Sequence, residues 1–311
     1  LRIKVRDEIG ARVDGFLFSP LAILVDANEL TTASSERMDM VILTTANVEV
    51  ATDATTSGSK AGTTQVASPS GTQTISGSVD ASGDDITIRG NNVEIVADMR
   101  SAGAVLSFVP LNPSTDIVLG DALGAGTVFD GTQRTALGDT MYINNSELGH
   151  LQDGFQEIVI GGVDGSYNIY ISETGATSTT VTLNDNLTLR TPVLGGEVHI
   201  ERPIVLLGGS SLIIDGSGHT TTIAADVSTS DDAIVNDSML IVGDRVITAG
   251  TDGTGRIELG ASSAHWLDGD GDTTPDTLSL YAPGNVRLYG ELGVVDPLEG
   301  LIIGGVDVSG T

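Results

Sequence analysis

Apolar residues recur along this chain in short runs of period two, and polar or turn-forming residues separate them. Val181-Thr182-Leu183 is followed by Asn184-Asp185-Asn186 and then by Leu187-Thr188-Leu189. Val198-His199-Ile200 leads past Pro203 to Val205-Leu206-Leu207, then Gly208-Gly209, then Leu212-Ile213-Ile214. The series Leu278-Ser279-Leu280, Pro283-Gly284, Val286-Arg287-Leu288 has the same form, as does Ile86-Thr87-Ile88, Gly90-Asn91-Asn92, Val93-Glu94-Ile95. Such alternation, broken each time by Gly, Asn, Asp or Pro, predicts short β-strands joined by tight turns. Ser, Thr, Gly, Asp and Val dominate, so helix signals are scarce.

Short strands at near-regular spacing build a sandwich, a barrel or a solenoid. Three features favour the solenoid. The strands are very short and aromatics make up only 4% of the chain, whereas sandwich and barrel cores lean on Trp and Tyr. Small Gly, Ser and Thr suit stacked turns, where each position lies ~4.8 Å from its copy in the next coil. The third feature is self-similarity. Glu147-Leu148-Gly149-His150-Leu151-Gln152-Asp153-Gly154-Phe155 matches Glu8-Ile9-Gly10-Ala11-Arg12-Val13-Asp14-Gly15-Phe16 at an offset of 139. Ile158-Val159-Ile160-Gly161-Gly162-Val163-Asp164 matches Leu301-Ile302-Ile303-Gly304-Gly305-Val306-Asp307 at an offset of 143. Glu147-Leu148-Gly149 precedes the first copy as Glu291-Leu292-Gly293 precedes the second. With coils of roughly 20–30 residues, this is a higher-order repeat of ~140 residues. The expected organisation is solenoid coils over 1–52, a loop insertion over 53–82, and further coils over 83–311. The insertion is read from Thr55-Thr56-Ser57-Gly58-Ser59 through Ser68-Pro69-Ser70-Gly71, which is Ser/Thr/Gly-rich and nearly uncharged. At ~4.8 Å per coil, about 12–14 coils make a rod of roughly 60 Å.

Charge narrows the partners. Asp and Glu total 42 against 14 Lys and Arg, a formal charge of −28 over 311 residues. A phosphate backbone or an anionic lipid surface is repelled by that sign, which argues against nucleic acid and membrane surfaces. Forty per cent hydrophobic residues suffice for a core. Zero Cys excludes a disulfide scaffold, a Cys-ligated zinc site and a cysteine nucleophile. No run of apolar residues is long enough for a transmembrane helix. The sequence starts Leu1-Arg2-Ile3-Lys4, with neither Met nor a signal pattern, which suggests an internal piece or a processed product. Lysine occurs only at Lys4 and Lys60, and acid-rich, Lys-poor surfaces suit salty or calcium-containing surroundings.

The sharpest site signal is Asp268-Gly269-Asp270-Gly271-Asp272-Thr273-Thr274-Pro275-Asp276. Carboxylates at alternate positions with Gly between them let a short loop wrap oxygen ligands round a hard cation, as calcium loops do. Asp268, Asp270, Asp272, the Thr274 carbonyl and Asp276 would supply the ligands. Ser279 stands where an EF-hand has Glu, Thr273 stands where it has Gly, and Leu278-Ser279-Leu280 reads as a strand. The pattern is therefore a calcium loop between coils or an acidic solvated turn. Asp84-Asp85 and Asp231-Asp232 read as turn residues bonding their own backbone, and Asp215-Gly216-Ser217-Gly218 as a tight turn. His150, His199, His219 and His265 are scattered, with no metal spacing, nucleophile elbow or phosphate-binding loop near them. Arg190, Arg202, Arg256 and Arg287, with Glu201 and Glu258, are the groups a polysaccharide-cleaving enzyme would need on one strand face. Solvent-facing charges on strands are the ordinary explanation. Trp266 reads as a packing anchor or part of a binding patch.

An ordered set of these runs is similar to a known family. Asp85-Ile86-Thr87-Ile88-Arg89-Gly90-Asn91-Asn92-Val93-Glu94-Ile95, Asp116-Ile117-Val118-Leu119-Gly120, Met141-Tyr142-Ile143-Asn144-Asn145-Ser146-Glu147-Leu148 and Glu157-Ile158-Val159-Ile160-Gly161 resemble the repeats of filamentous-haemagglutinin-like large exoproteins, the giant bacterial surface adhesins. Gly284-Asn285-Val286-Arg287-Leu288 through Leu301-Ile302-Ile303-Gly304 resembles another such repeat. The resemblance covers most of 83–311 and, more faintly, 1–50. It implies a right-handed parallel β-helix, extracellular and displayed on the bacterial cell surface as a stalk or filament, and it brings no catalytic residues. The expected role is a structural segment, not an enzyme, that associates end to end or with neighbouring coils. The alternatives are an adhesive module for a glycan or receptor, with 55–82 as its patch, and more remotely a polysaccharide lyase or hydrolase.

Overall fold

The computed structural model describes residues 85–305 except 111, 121–126, 130–133, 137–139, 173–179, 217–218 and 273–275. Before Asp85 it describes strand backbones alone, and the side chains of 91–92, 127–129 and 134–136 are likewise left out.

The described chain is all-β, with long parallel sheets and one helical turn, Asn145–Leu148. Three parallel sheets of 12, 8 and 6 strands account for most of it. From Glu157 onward the strands visit them in strict rotation. Glu157–Gly161 joins the first sheet, Ile169–Ile171 the second and Val181–Leu183 the third, and Leu187–Arg190 returns to the first beside Glu157–Gly161. Six such passes end with Val286–Leu288, Glu291–Leu292 and Gly300–Gly304. Alternating apolar residues need one dry face per strand, and the dry faces of the three sheets meet in one buried cluster.

In-register stacking turns the dry faces into ladders. On the first sheet Leu106, Ile158, Leu187, Leu212, Ala233, Ile257 and Val286 follow one another, one per coil. On the second, Ile117, Ile169, Val198, Thr221, Met239 and Leu267 do so. On the third, Val181, Ile204, Val227, Ile247, Leu280 and Ile303 complete the wall. The interior members are almost wholly buried. Each coil covers its neighbours' apolar area at ~25 cal/mol per Å2, so stability accumulates coil by coil.

Side chains at the turns form a second kind of ladder. At several corners a side chain at or just before the strand start accepts a backbone N–H from the equivalent residue one coil on. Asn186 Oδ1 accepts from Ser211 N (2.8 Å), Ser211 Oγ from Asp232 N (3.2 Å), and Asp232 Oδ1 from Arg256 N (3.0 Å). Asp85, Asp116, Asn168 and Asp226 do the same for Val105, Asn168, Glu197 and Val246. The acidic pairs expected to bond their own backbone thus bond the next coil instead at Asp85 and Asp232. Asp84 lies outside the described residues. A parallel winding leaves an N–H at each corner facing the previous coil, and a short acceptor is the cheapest group to meet it. Gly161 closes another corner at φ +93°, where a Cβ would lie 2.1 Å from the Arg190 carbonyl oxygen.

Three expectations are corrected. The 53–82 stretch is not a loop throughout: Thr63–Ile75 is a strand of the first sheet, parallel to Asp85–Ile95. Its Thr, Gln and Val residues favour an extended chain despite their low charge. The pairing shifts between Ser68 and Thr72, where Pro69 has no N–H to give the ladder. Opposite that shift, the expected Gly90-Asn91-Asn92 break runs straight through as strand. The runs that matched at offset 143 also occupy different places: Glu157–Gly161 belongs to the first sheet and Gly300–Gly304 to the third. Likewise Glu147-Leu148 sits in the helical turn and Glu291–Leu292 in the second sheet. The similarity is one of local pattern, not of position in the winding.

Candidate functional site

The acidic loop is the leading candidate, and the carboxylates described there accept backbone N–H groups. Asp268 lies in the strand Trp266–Gly269 and is buried. Its carboxylate accepts the backbone N–H groups of Val294 (2.6 Å) and Val295 (3.1 Å) from the next coil. Asp276, also buried, accepts from Gly243 N of the preceding coil (2.6 Å) and from Asp270 N (2.9 Å). Asp270 Oδ1 accepts from Asp272 N at 3.0 Å. Thr274 lies outside the described residues. Among the described residues no three His, Asp or Glu side chains converge on a point where an ion could be held. Asp268 and Asp276 act as staples between coils, the task expected of calcium, through charge-assisted bonds to amides.

Arg190, Arg256 and Arg287 lie in cross-coil pairs on the outer face of the first sheet, and Arg202 precedes the third-sheet strand Ile204–Leu206. Arg190 faces Asp215 (3.4 Å), and Arg256 reaches Asp232 (3.2 Å) and Glu258 (3.4 Å). Arg287 meets Glu258 at 3.1 Å. Glu201 stands on another sheet face, accepting from Ser172 Oγ at 2.5 Å. Trp266 is half-buried and lines a small void with Met239, Leu259 and Leu288, as a packing anchor does.

A different group converges on the outer face of the second sheet. The strands Asp116–Leu119, Ile169–Ile171 and Val198–Ile200 lie side by side there. Their central outward residues are Val118, Tyr170 and His199. The Tyr170 and His199 rings stack at 4.7 Å with 11° between planes. Asp116 Oδ1 accepts from Asn168 N at 2.8 Å, Asn168 Nδ2 meets the Tyr170 hydroxyl at 3.2 Å, and His199 Nε2 lies 3.3 Å from Glu197. Burial sets the electrostatics. It raises the Asp116 carboxyl against the pull of the Asn168 amide and His199. It lowers the His199 imidazole despite Glu197 and Asp116, and it pushes the Tyr170 phenol up to about 12. All three groups are shifted toward their neutral forms. Glu197 and Glu201 add negative charge beside them.

The chain matches no family model, no curated protein and no solved structure. The winding and these side chains therefore carry the functional reading. The Asp116, Tyr170 and His199 face was missed in the sequence because its members are far apart, with bonded partners 52 and 29 residues away. The available signal was alignment of Ile117-Val118-Leu119, Ile169-Tyr170-Ile171 and Val198-His199-Ile200 by their central positions.

Proposed function

We propose that the chain winds as a right-handed parallel β-helix and serves as a structural segment of an extracellular, surface-displayed filament or stalk, of the kind that filamentous-haemagglutinin-like exoproteins use. One observation carries this reading: six consecutive passes through three parallel sheets in unbroken rotation. Parallel strand–crossover–strand units are right-handed in ~98% of cases, which supplies the hand. The charged exterior supports a load-bearing role, because Arg190–Asp215, Arg256–Asp232 and Arg287–Glu258 run along the axis and tie coil to coil. No helix of the described residues is long and apolar enough to cross a membrane. Two measurements test the proposal. Small-angle scattering should give a rod rather than a sphere. Antibody against the chain should label intact producing cells, and labelling only after permeabilisation would overturn surface display.

The face around Tyr170 and His199 favours a second reading, an adhesive module for neutral glycans. A glycan array should then show binding by the wild type that Tyr170→Ala and His199→Ala abolish. Binding unchanged in both variants would remove this reading.

A further inference from the structure

On the outer face of the second sheet, register places Tyr142, Val118, Tyr170, His199, Thr222 and Leu240 one per coil in a line along the axis. At ~4.8 Å per coil the line runs about 24 Å. Apart from Val118, which lies between the two tyrosines, its members keep part of their surface in solvent. The strands Asp116–Leu119, Ile169–Ile171 and Val198–Ile200 each have a neighbour on both sides, so no further coil could cover this face. Carboxylates edge the row. Asp116 and Glu197 stand two residues before Val118 and His199, and Glu201 two after His199, where Ser172 Oγ donates to it at 2.5 Å. All three carboxylates push the Tyr170 phenol up. Glu197 is half-exposed, 3.3 Å from His199 Nε2. Burial holds the His199 imidazole below its ordinary value, so at neutral pH it does not cancel that charge.

We infer that this face docks a basic segment of a partner polypeptide, laid along the axis. Lys and Arg carry apolar stems that cover Tyr170, Thr222 and Leu240, and charged heads that meet Glu197 and Glu201. Charge selects the occupant. The chain carries −28, so a second copy, a nucleic acid or an anionic lipid is repelled, whereas a basic segment is drawn in from a distance. The hydroxyls of a neutral glycan also bond carboxylates but gain nothing from that field, so salt separates the two readings of this face. The inference needs only the register of the second sheet and not the stalk reading.

Fluorescence anisotropy of the whole chain with a labelled peptide alternating Arg and Val, beside one alternating Glu and Val, tests this at about 0.05 M and about 0.5 M salt. The wild type should bind the Arg peptide, more weakly at the higher salt, and ignore the Glu peptide. Glu197→Gln combined with Glu201→Gln should weaken binding about tenfold or more and leave the circular dichroism spectrum and thermal midpoint near wild type. Tyr170→Ala should weaken it as well. Asp153→Asn combined with Asp252→Asn removes the same charge at exposed corners that lead into the first sheet, and should bind like wild type. No binding, or equal losses in the two double variants, would overturn the inference. Salt-independent glycan binding without peptide binding would overturn it in favour of the glycan reading. None of these outcomes bears on the stalk.

Discussion

The coils from Glu157 to Gly304 and the stretch from Asp85 to Phe155 share one apolar wall and differ in almost everything else. The first sheet crosses the boundary without a break, Leu106 and Phe108 pairing with Ile158 and Ile160 as those pair with Leu187 and Leu189. The second sheet does not cross it so simply. After Asp116–Leu119 the chain makes an antiparallel hairpin, Thr127–Phe129 with Arg134–Ala136, and returns as Thr140–Ile143 on the other side of the strand it has just left. A helical turn then brings it back, with Asn144 and Glu147 bonding each other's backbone as a capping box and Glu147 also accepting from Ile95 N at 3.2 Å. One continuous ladder therefore tolerates large excursions in the sheet beside it. The regular region has its acids in coil-to-coil bonds. The Asp116, Tyr170 and His199 face stands where regularity begins.

The comparison can be broken at several depths. The largest effect belongs to the shared wall. Leu106→Ala on one side of the boundary and Leu212→Ala on the other should each cost about 2–5 kcal/mol in chemical denaturation. Near-equal losses with one cooperative transition are expected, and two separate transitions would show that the regions fold independently. Next is Gly161→Ala, at the corner where the regular coils begin. It forces a Cβ onto the Arg190 carbonyl at a left-handed φ and should cost at least about 1–3 kcal/mol. The turn ladder is weaker. Asp232→Ala should lose about 1–2 kcal/mol and Asp232→Asn most of that back, because an amide oxygen still accepts from Arg256 N.

Titration of the outer face gives a smaller, signed effect. His199 is held below its ordinary 6.5, so the unfolded chain binds its proton first as pH falls. The stability from keeping it neutral is full above 6.5 and is lost as pH drops through the lower folded value. Asp116 runs oppositely: its carboxyl is raised above 3.8, so its contribution is full below 3.8 and fades as pH rises through the folded value. Melting His199→Phe beside wild type should show a shallower loss between neutral and mildly acid pH, and parallel curves would contradict the assignment. The smallest expected difference is between calcium and magnesium at equal ionic strength. Asp268 and Asp276 already serve backbone amides, so the two salts should shift the melt alike. A calcium-specific rise would show that the acidic loop gathers round an ion.

Much of the fold was legible because short strands announce themselves. Val181-Thr182-Leu183, Val198-His199-Ile200 and Val286-Arg287-Leu288 alternate cleanly and appear as strands with those bounds. Their partners were not legible. Corner-to-corner bonds along the first sheet span 30, 25, 21 and 24 residues, so no fixed period reveals the register. Without it, Glu291-Leu292-Gly293 and Glu147-Leu148-Gly149 looked equivalent, and Asp116, Tyr170 and His199 looked unrelated. The amides that meet the acidic loop were not legible for a related reason. Alternate carboxylates point a chain toward a cation only when nothing nearer competes, and the next coil's Val294 and Val295 amides are nearer to Asp268.

Cross-linking across neighbouring coils tests the winding most directly, and the absence of native cysteine makes it clean. Thr182 and Val205 are opposite one another on adjacent third-sheet strands, and Val205 in turn faces Ser228. Adjacent parallel strands place paired Cα atoms about 5 Å apart, within disulfide reach. The three-sheet winding predicts that Thr182→Cys with Val205→Cys oxidises to an intramolecular disulfide, and that Thr182→Cys with Ser228→Cys, two coils apart, does not. Free thiols in the first pair of a folded chain, or a disulfide in the second, would contradict it.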